Sequence, residues 1–146
     1  MIWTPRTTVA AVIEHNNQFL MVEEEIDGNM QLNQPAGHLE SGESLIEAVI
    51  RETREETAWH FVPEALVGIY RWQHPVKQDT YMRFCFCGNV TEHFAGQALD
   101  SDINQTLWLD RDQITLRQAD FRSPLVWQCF EDYWSGHRYP LQLLHN

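Results

Sequence analysis

The sequence is poor in lysine and contains no long apolar run. Of its ten basic residues only Lys77 is a lysine, and the formal net charge is −11. This negative surface excludes a DNA or RNA polymer as an expected partner, but it does not exclude a small phosphorylated molecule bound through a divalent cation. No stretch approaches the ~20 apolar residues of a membrane-spanning helix, and residues 1–6 lack the layout of a signal peptide. We therefore expect a monomeric, cytoplasmic protein without membrane contact.

Cysteine is also scarce, which argues against a disulfide framework. The three cysteines are Cys85, Cys87 and Cys129, an odd number in a chain with no export signal. Cys85 and Cys87 lie two apart in an apolar run and are predicted to face the same side of a strand as buried thiols. A metal pair is the alternative, but no further ligand follows at the required spacing.

The 146 residues and 43% hydrophobic content predict one domain, residues 1–146, of the α/β class, in which helices pack on a mixed sheet. Apolar and β-branched runs predict strands at residues 8–14, 18–22, 65–70, 81–90 and 106–109. Residues 15–17 predict a turn, and residues 23–29 predict an acidic loop. Helices are predicted at residues 44–57 and after the Ser123-Pro124 start signal, with Gly136 closing the second one.

Three glutamates share one flank of the first predicted helix. At 100° per residue, Glu56 points ~40° from Glu52 on one side, and Glu55 ~60° on the other. This flank overlaps the apolar stripe that includes Leu45 and Val49, so the carboxylates are expected to line a cleft at the border between helix and sheet.

Such an arrangement opposes helix stability, because like charges three or four residues apart repel and acidic groups near a helix C-terminus oppose the dipole. Converging anionic oxygens are what a hard divalent cation requires. An ordinary solvated acidic face is the alternative interpretation. Gly37 and Gly42 favour the cation site, since they allow a tight loop before the helix that can present carbonyl groups to the same ion.

These residues resemble the signature of the Nudix hydrolase family. The signature is Gly, five residues, Glu, seven residues, Arg-Glu, two residues, Glu-Glu. The chain matches it at Gly37, Glu43, Arg51-Glu52 and Glu55-Glu56. Three positions depart from the pattern, none of them charged: Thr53, Ala58 in place of glycine, and Trp59.

The resemblance extends to bacterial Nudix phosphatases through segments between residues 32 and 141. These segments are Leu32–Glu40, Arg83-Phe84, Asp100–Ile103, Arg122–Val126, Ser135-Gly136 and Arg138–Leu141. The resemblance implies an α/β/α sandwich and hydrolysis of diphosphate linkages in nucleoside di- and triphosphates. It further associates the chain with hydroxymethylpyrimidine diphosphate, a compound of thiamine metabolism.

The resemblance also implies roles for the signature residues. Glu52, Glu55 and Glu56 would bind Mg²⁺ or Mn²⁺, Arg51 would orient these glutamates, and Glu43 would fix the loop that begins at Gly37. Helical spacing agrees for Arg51, which can reach both Glu47 and Glu55.

Several residues outside the signature are candidates for the same site. Glu52 and Asp102 compete as the general base, and Asp102 is also a candidate metal ligand, with Asp100 a weaker rival. Each aspartate is alternatively a plain loop residue. Arg83 and Arg122 are candidates to bind a terminal phosphate. The alternative for each is an exposed salt bridge. Three aromatic residues are candidates to stack on a base, although aromatic side chains more often form core: Trp72, Tyr81 and Phe121.

Other functions stay open on the sequence alone. The alternative enzyme hydrolyses nucleotide sugars or dinucleotides, but no extra segment is evident to enclose a large second moiety. A non-catalytic nucleotide sensor would be favoured by loss of a signature glutamate, and none is lost. A structural or partner-binding domain would show no response to Mg²⁺ or nucleotide.

Overall fold

The computed structural model describes residues 2–146, so the first residue of the predicted domain, Met1, lies outside it. Within the described residues, the seven strands are β1 (Arg6–His15), β2 (Gln18–Ile26), β3 (Asn29–Asn33), β4 (Ala36–His38), β5 (Trp59–Gln73), β6 (Thr80–His93) and β7 (Ile103–Leu109). The same part of the chain has three α-helices, α1 (Leu45–Thr57), α2 (Arg111–Leu116) and α3 (Pro124–Trp134). Short 3₁₀ turns occupy Gln118–Asp120 and Leu141–Leu143. No helix among residues 2–146 is long and apolar enough to cross a membrane.

The sheet is mixed and has strand β1 near its centre. The main order is β3-β2-β1-β6-β5, with β4 also paired to β1 and β7 also paired to β2. Strands β1 and β6 run parallel, whereas the other pairs are antiparallel. This arrangement confirms the predicted α/β fold with a mixed sheet and flanking helices.

Both faces of strand β1 are buried, because its side chains alternate between two apolar cores. Val9, Ala11 and Ile13 pack with α1, and Ala10 and Val12 pack with α3. A central strand covered on both sides is expected to be apolar at every position, as this strand is. The three buried cysteines all lie in the α3 core, which confirms the predicted buried thiols.

The helix starts follow the predicted chemistry. Ser44 and Glu47 form a capping box at the start of α1, with Glu47 N–H to Ser44 Oγ at 3.1 Å and Ser44 N–H to Glu47 Oε1 at 2.8 Å. Ser123 caps α3, whose first residue is Pro124. Gly136 follows α3 with a φ of +88°, which confirms the expected left-handed residue there.

The predicted acidic loop at residues 23–29 is wrong. Strand β2 continues through Ile26, and the turn is limited to Asp27 and Gly28, both with positive φ. The acidic residues stay in the strand because β2 pairs with β3 on one side and β7 on the other. Strands β3 and β4 and helix α2 have no counterpart in the prediction, and β5 and β6 are longer than expected.

Candidate active site

Helix α1 presents its three glutamates beside the loop that contains Gly37. Glu56 is 6% exposed, and its Oε1 accepts a hydrogen bond from Ala36 N–H at 2.8 Å, which ties the helix to β4. Glu52 and Glu55 lie further out, with side chains 12% and 42% exposed. The carboxylates therefore occupy the border between helix and sheet that the helical spacing predicts.

Arg51 links the glutamates to the loop. Its guanidinium binds both carboxylate oxygens of Glu43, at 2.7 and 3.0 Å, and donates to Glu52 Oε1 at 2.8 Å and Glu55 Oε2 at 3.2 Å. It also donates to the carbonyl oxygen of His38 at 3.0 Å. Glu47 does not take part, because its carboxylate caps the helix instead. Arg51 thus holds the acidic groups in fixed positions, with the bidentate geometry that a guanidinium favours.

Glu43 holds the loop itself. Its Oε1 accepts a hydrogen bond from Glu40 N–H at 2.8 Å while the same carboxylate binds Arg51. The hydrogen bonds from Arg51 lower the pKa of Glu43, and burial acts in the opposite direction without reversing the shift. Glu43 is therefore an anion whose contacts are used for positioning.

Gly37 is required by close approach rather than by an unusual backbone angle. A Cβ atom at this position would lie 2.0 Å from Glu52 Cδ. Gly42, in contrast, has a φ of +83° and open space around it. The first glycine makes room for a carboxylate of the site, and the second makes the turn before α1.

A cluster of three carboxylates forms at the end of this helix. One oxygen each from Glu52, Glu55 and Asp100 lies within 4.8 Å of the others, a spacing that suits one cation. Asp100 is brought here by its backbone, whose N–H donates to the carbonyl oxygen of Glu55 at 3.0 Å. We call Glu52, Glu55 and Asp100 the carboxylate cluster. It shares Glu52 and Glu55 with the predicted set and adds Asp100, while Glu56, the third predicted ligand, lines the adjacent cavity.

Burial changes the acidity of these groups. Desolvation raises the pKa of Glu52 to about 7, and the ion pair with Arg51 offsets this only in part. Burial raises the pKa of Glu56 well above its usual range and also raises that of Asp100. Carboxyl groups with raised pKa values in a cleft are typical of catalytic and metal sites.

The carboxylate cluster borders a cavity of about 620 Å³ that collects most of the predicted substrate residues. The lining includes Asp102, Arg83, Arg122, Trp72 and Tyr81. Asp102 is exposed, and its carbonyl oxygen accepts a hydrogen bond from Glu25 N–H of β2 at 3.2 Å. Phe121 packs instead against Trp127 and the α3 core.

The alternative of an exposed salt bridge holds in part for Arg122, whose ion-paired side chain is 45% exposed, but not for the buried Arg83. Arg83 is 8% exposed and donates from Nη1 to Gln34 Oε1 at 3.1 Å. Arg122 forms an ion pair with Glu24, a side chain only 1% exposed. The partners Glu24 and Gln34 were missed, because each contact joins residues that are far apart in the sequence.

Comparison with known proteins agrees with this geometry. The NUDIX domain family model matches residues 4–128, which include the loop, α1 and Asp102. The chain belongs to the Nudix hydrolase family. It is 39% identical to phosphatase NudJ of Escherichia coli and of Shigella boydii, over 98% of this chain and 92% of each relative.

Solved Nudix structures share the architecture. A NUDIX hydrolase from Nitrosomonas europaea superposes with a TM-score of 0.95 at 49% identity, covering 98% of this chain and 97% of that one. The MutT protein of Methanosarcina mazei superposes with a TM-score of 0.73 at 21% identity, covering 92% and 97%, a likeness of fold alone. The Nudix assignment and the hydrolase class predicted from the signature are thereby confirmed.

Proposed function

We propose that this Nudix hydrolase cleaves the diphosphate linkages of nucleoside tri- and diphosphates with the help of Mg²⁺, for which Mn²⁺ can substitute. Hydroxymethylpyrimidine diphosphate, which contains the same linkage, is a further proposed substrate. The observation that carries the proposal is the carboxylate cluster, which lies at the edge of a cavity that also contains Arg83 and Arg122. With a net charge of −11, the protein selects small phosphorylated molecules over nucleic acid polymers.

The residues present suit a hard divalent cation. The carboxylate cluster offers only oxygen ligands, and Gly37 leaves the space that the Glu52 carboxylate occupies. When bound, the cation neutralises negative charge on the diphosphate and makes water a better nucleophile. Arg51 keeps Glu52 and Glu55 in place for this role. Arg122 is the proposed contact to a terminal phosphate, since its side chain lines the cavity and is nearly half exposed beside its partner Glu24.

Glu52 is the proposed general base. It lies between Glu55 and Glu56 on the flank of α1, and its carboxylate, 12% exposed, lines the cavity. Asp102 is the competing candidate, since it lines the same cavity and its carboxylate is exposed.

The function is tested with a substrate panel at fixed Mg²⁺ in which orthophosphate and pyrophosphate are detected separately. The panel contains nucleoside tri- and diphosphates, hydroxymethylpyrimidine diphosphate, a nucleotide sugar and a dinucleotide. We expect release of phosphate or pyrophosphate from the first three and no activity in excess chelator. Faster cleavage of the nucleotide sugar or dinucleotide would favour the alternative enzyme, and binding without any release would favour a nucleotide sensor.

The two loop aspartates are separated by a pair of matched variants. Asp100→Asn should raise the Mg²⁺ concentration needed for half-maximal activity by roughly 10- to 100-fold, because a group at the cation is lost. Asp102→Asn should lower kcat with KM unchanged if Asp102 is the base. An Asp102→Asn enzyme within about twofold of wild type assigns the base to Glu52.

A further inference from the structure

The segment between β6 and β7, residues 94–102, carries both candidate aspartates, Asp100 and Asp102. We call it the aspartate loop. It contains no helix or strand, so its position depends on contacts with other elements. Three of its residues form hydrogen bonds with the C-terminal end of α1, the part of the helix that carries Glu55.

Arg54 of α1 binds the loop through both its side chain and its main chain. Its guanidinium lies over the ring of Phe94, with Cζ 3.7 Å from the ring centroid, and its Nε donates to Gln97 Oε1 at 3.0 Å. The same amide returns a bond, because Gln97 Nε2 donates to the carbonyl oxygen of Arg54 at 2.8 Å. A guanidinium only donates and a carbonyl only accepts, so this pairing fixes the orientation of the amide. We call Arg54, Phe94 and Gln97 the loop clasp.

Two backbone hydrogen bonds lie on either side of the paired amide. Phe94 N–H donates to the carbonyl oxygen of Ala58 at 2.8 Å, and Asp100 N–H donates to that of Glu55 at 3.0 Å. The last carbonyl groups of a helix have no donor within the helix, so the loop supplies donors that α1 lacks. The aspartate loop is thus bound to one helix end at residues 94, 97 and 100.

The loop clasp limits where Asp100 can lie. Gln97 precedes Asp100 by three residues, a length of chain that spans roughly 11 Å at most. The bond from Asp100 N–H to Glu55 alone is a weak restraint, because a single hydrogen bond is readily exchanged for one with water. Arg54 is the immediate neighbour of Glu55 in α1, so the clasp fixes the loop to the same helical turn whose carboxylate lies within 4.8 Å of the Asp100 carboxylate.

The charge of Arg54 acts against cation binding, whereas its contacts favour it. A positive charge beside an acidic site repels a cation, so its removal alone should strengthen cation binding. The carboxylates of Glu52 and Glu55 are paired with Arg51 instead, and the Arg54 guanidinium is used on Phe94 and Gln97. An electrostatic role and a positioning role therefore predict opposite effects of removing this side chain.

We propose that Arg54, Phe94 and Gln97 are positioning residues of the cation site, which hold the aspartate loop so that Asp100 completes the carboxylate cluster. The lining of the active-site cavity includes Asp100 but none of the three clasp residues, so they act through Asp100 and not by contact with substrate. The inference rests on the proposed function insofar as it takes the carboxylate cluster as the site of a divalent cation.

Gln97→Leu tests the clasp without a change of charge, since it removes both side-chain hydrogen bonds and nearly keeps the size of the side chain. The dissociation constant of Mn²⁺ is measured from the EPR signal of unbound Mn²⁺, with no substrate present. We expect the constant to rise roughly tenfold, the lower end of the effect of contacts that orient metal ligands. Gln118→Leu is the matched control, because Gln118 Nε2 also donates to a helix carbonyl, that of Thr115 in α2 at 3.1 Å, and it should bind Mn²⁺ as the wild type does.

Arg54→Met keeps the length of the side chain and separates charge from position. We expect it to weaken Mn²⁺ binding about as much as Gln97→Leu, by roughly tenfold, although it removes a positive charge. The matched control is Arg138→Met, since the Arg138 guanidinium lies 3.9 Å from the centroid of the Tyr133 ring and also donates to backbone carbonyl groups. Tighter Mn²⁺ binding by Arg54→Met would show that Arg54 acts through its charge and would overturn the inference.

A double variant tests whether Gln97 acts through Asp100. If it does, Gln97→Leu has nothing further to disturb once the Asp100 carboxylate is gone. Gln97→Leu combined with Asp100→Asn should therefore bind Mn²⁺ within about twofold of Asp100→Asn alone. A further loss as large as that of Gln97→Leu in the wild-type background would place its effect elsewhere and contradict the proposed role.

Amide hydrogen exchange of the metal-free protein reports the position of the loop directly. Residues 94–102 should exchange faster in Gln97→Leu than in the wild type and be unchanged in Gln118→Leu. Unchanged Mn²⁺ binding by Gln97→Leu, with weakened binding by Asp100→Asn, would overturn this inference alone. Wild-type Mn²⁺ binding by both Asp100→Asn and Glu55→Gln would refute the cation site of the proposed function, and the inference with it.

Discussion

Single side chains in this site are held by contacts that leave little freedom. The Glu52 carboxylate lies directly over Gly37, where a Cβ would come within 2.0 Å of its Cδ, and it accepts a hydrogen bond from Arg51. Any side chain at position 37 must therefore displace the carboxylate.

Gly37→Ala should lower kcat by roughly 100-fold, because displacement of a catalytic group by about 1 Å has an effect of that size. Steady-state kinetics at saturating Mg²⁺ measures it. Gly96→Ala is the matched control, since a Cβ there meets nothing within 4 Å and the backbone angle is ordinary. Comparable losses in both variants would show that the effect is not due to crowding of Glu52.

The raised pKa of Glu52 also predicts how stability depends on pH. The folded protein binds a proton on Glu52 up to about pH 7, whereas the unfolded chain releases it near 4.5. The stabilising contribution of this group to the free energy of unfolding is fully present below pH 4.5 and is lost as pH rises through 7. The loss is roughly 3 kcal/mol at most.

Denaturant unfolding of the metal-free protein between pH 4.5 and 8 measures this change. Glu52→Gln should flatten the decline in stability over that range, whereas Glu131→Gln, at an exposed position of α3, should not. A Glu52→Gln curve parallel to that of wild type would contradict the assignment of a buried, proton-binding carboxyl group.

The sequence predicts which glutamates of α1 converge, but it does not predict which residues from other parts of the chain lie beside them. Glu52, Glu55 and Glu56 follow from the helical period, and the bond between Arg51 and Glu55 follows from their spacing of four residues. Asp100 reaches the site through a backbone contact with Glu55, 45 residues earlier in the chain, which no local pattern contains.

At the level of elements, the end of α1 departs from the family signature. Ala58 replaces the signature glycine and is the C-cap of the helix, with a φ of +61° and an N–H bonded to the carbonyl oxygen of Arg54 at 2.8 Å. A left-handed conformation at a residue with a Cβ costs about 1–2 kcal/mol.

Ala58→Gly should therefore leave the free energy of unfolding unchanged or raise it by up to about 1 kcal/mol, since the relief of strain outweighs the loss of one buried methyl. The same change within the helix, Ala48→Gly, should lower it by at least about 1 kcal/mol. Thermal unfolding of both variants tests the difference in sign. Destabilisation of Ala58→Gly by as much as Ala48→Gly would show that no strain is present at the cap.

Elements with local signals were predicted well, and those that depend on distant partners were not. The capping box starts α1 and the Ser123-Pro124 pair starts α3, as the sequence indicates. Strand β2 was predicted too short because the buried carboxylate of Glu24 is ion-paired with Arg122. This partner lies 98 residues further along the chain, so no local pattern indicates it. Strand β4 has only three residues and exists through its pairing with β1.

At the scale of the whole molecule, the sheet and α1 bring two kinds of chemistry to one cavity. The carboxylate cluster lies at the end of the helix, and a polar group formed by Thr8, Asn33 and Arg83 lies on the strands. The net charge of −11 would repel a bare diphosphate from the acidic end, which supports the proposal that a cation accompanies it.

Mg²⁺-dependent melting tests, without any substrate, the proposal that the carboxylate cluster binds a divalent cation. At a Mg²⁺ concentration near tenfold over Kd, the wild type should gain about 1.4 kcal/mol of stability. Glu55→Gln should lose most of this gain, whereas Glu131→Gln, outside the site, should keep it. An equal gain in stability with Mg²⁺ in the wild type and in Glu55→Gln would contradict cation binding by the cluster. It would indicate that these glutamates form an ordinary solvated acidic helix face.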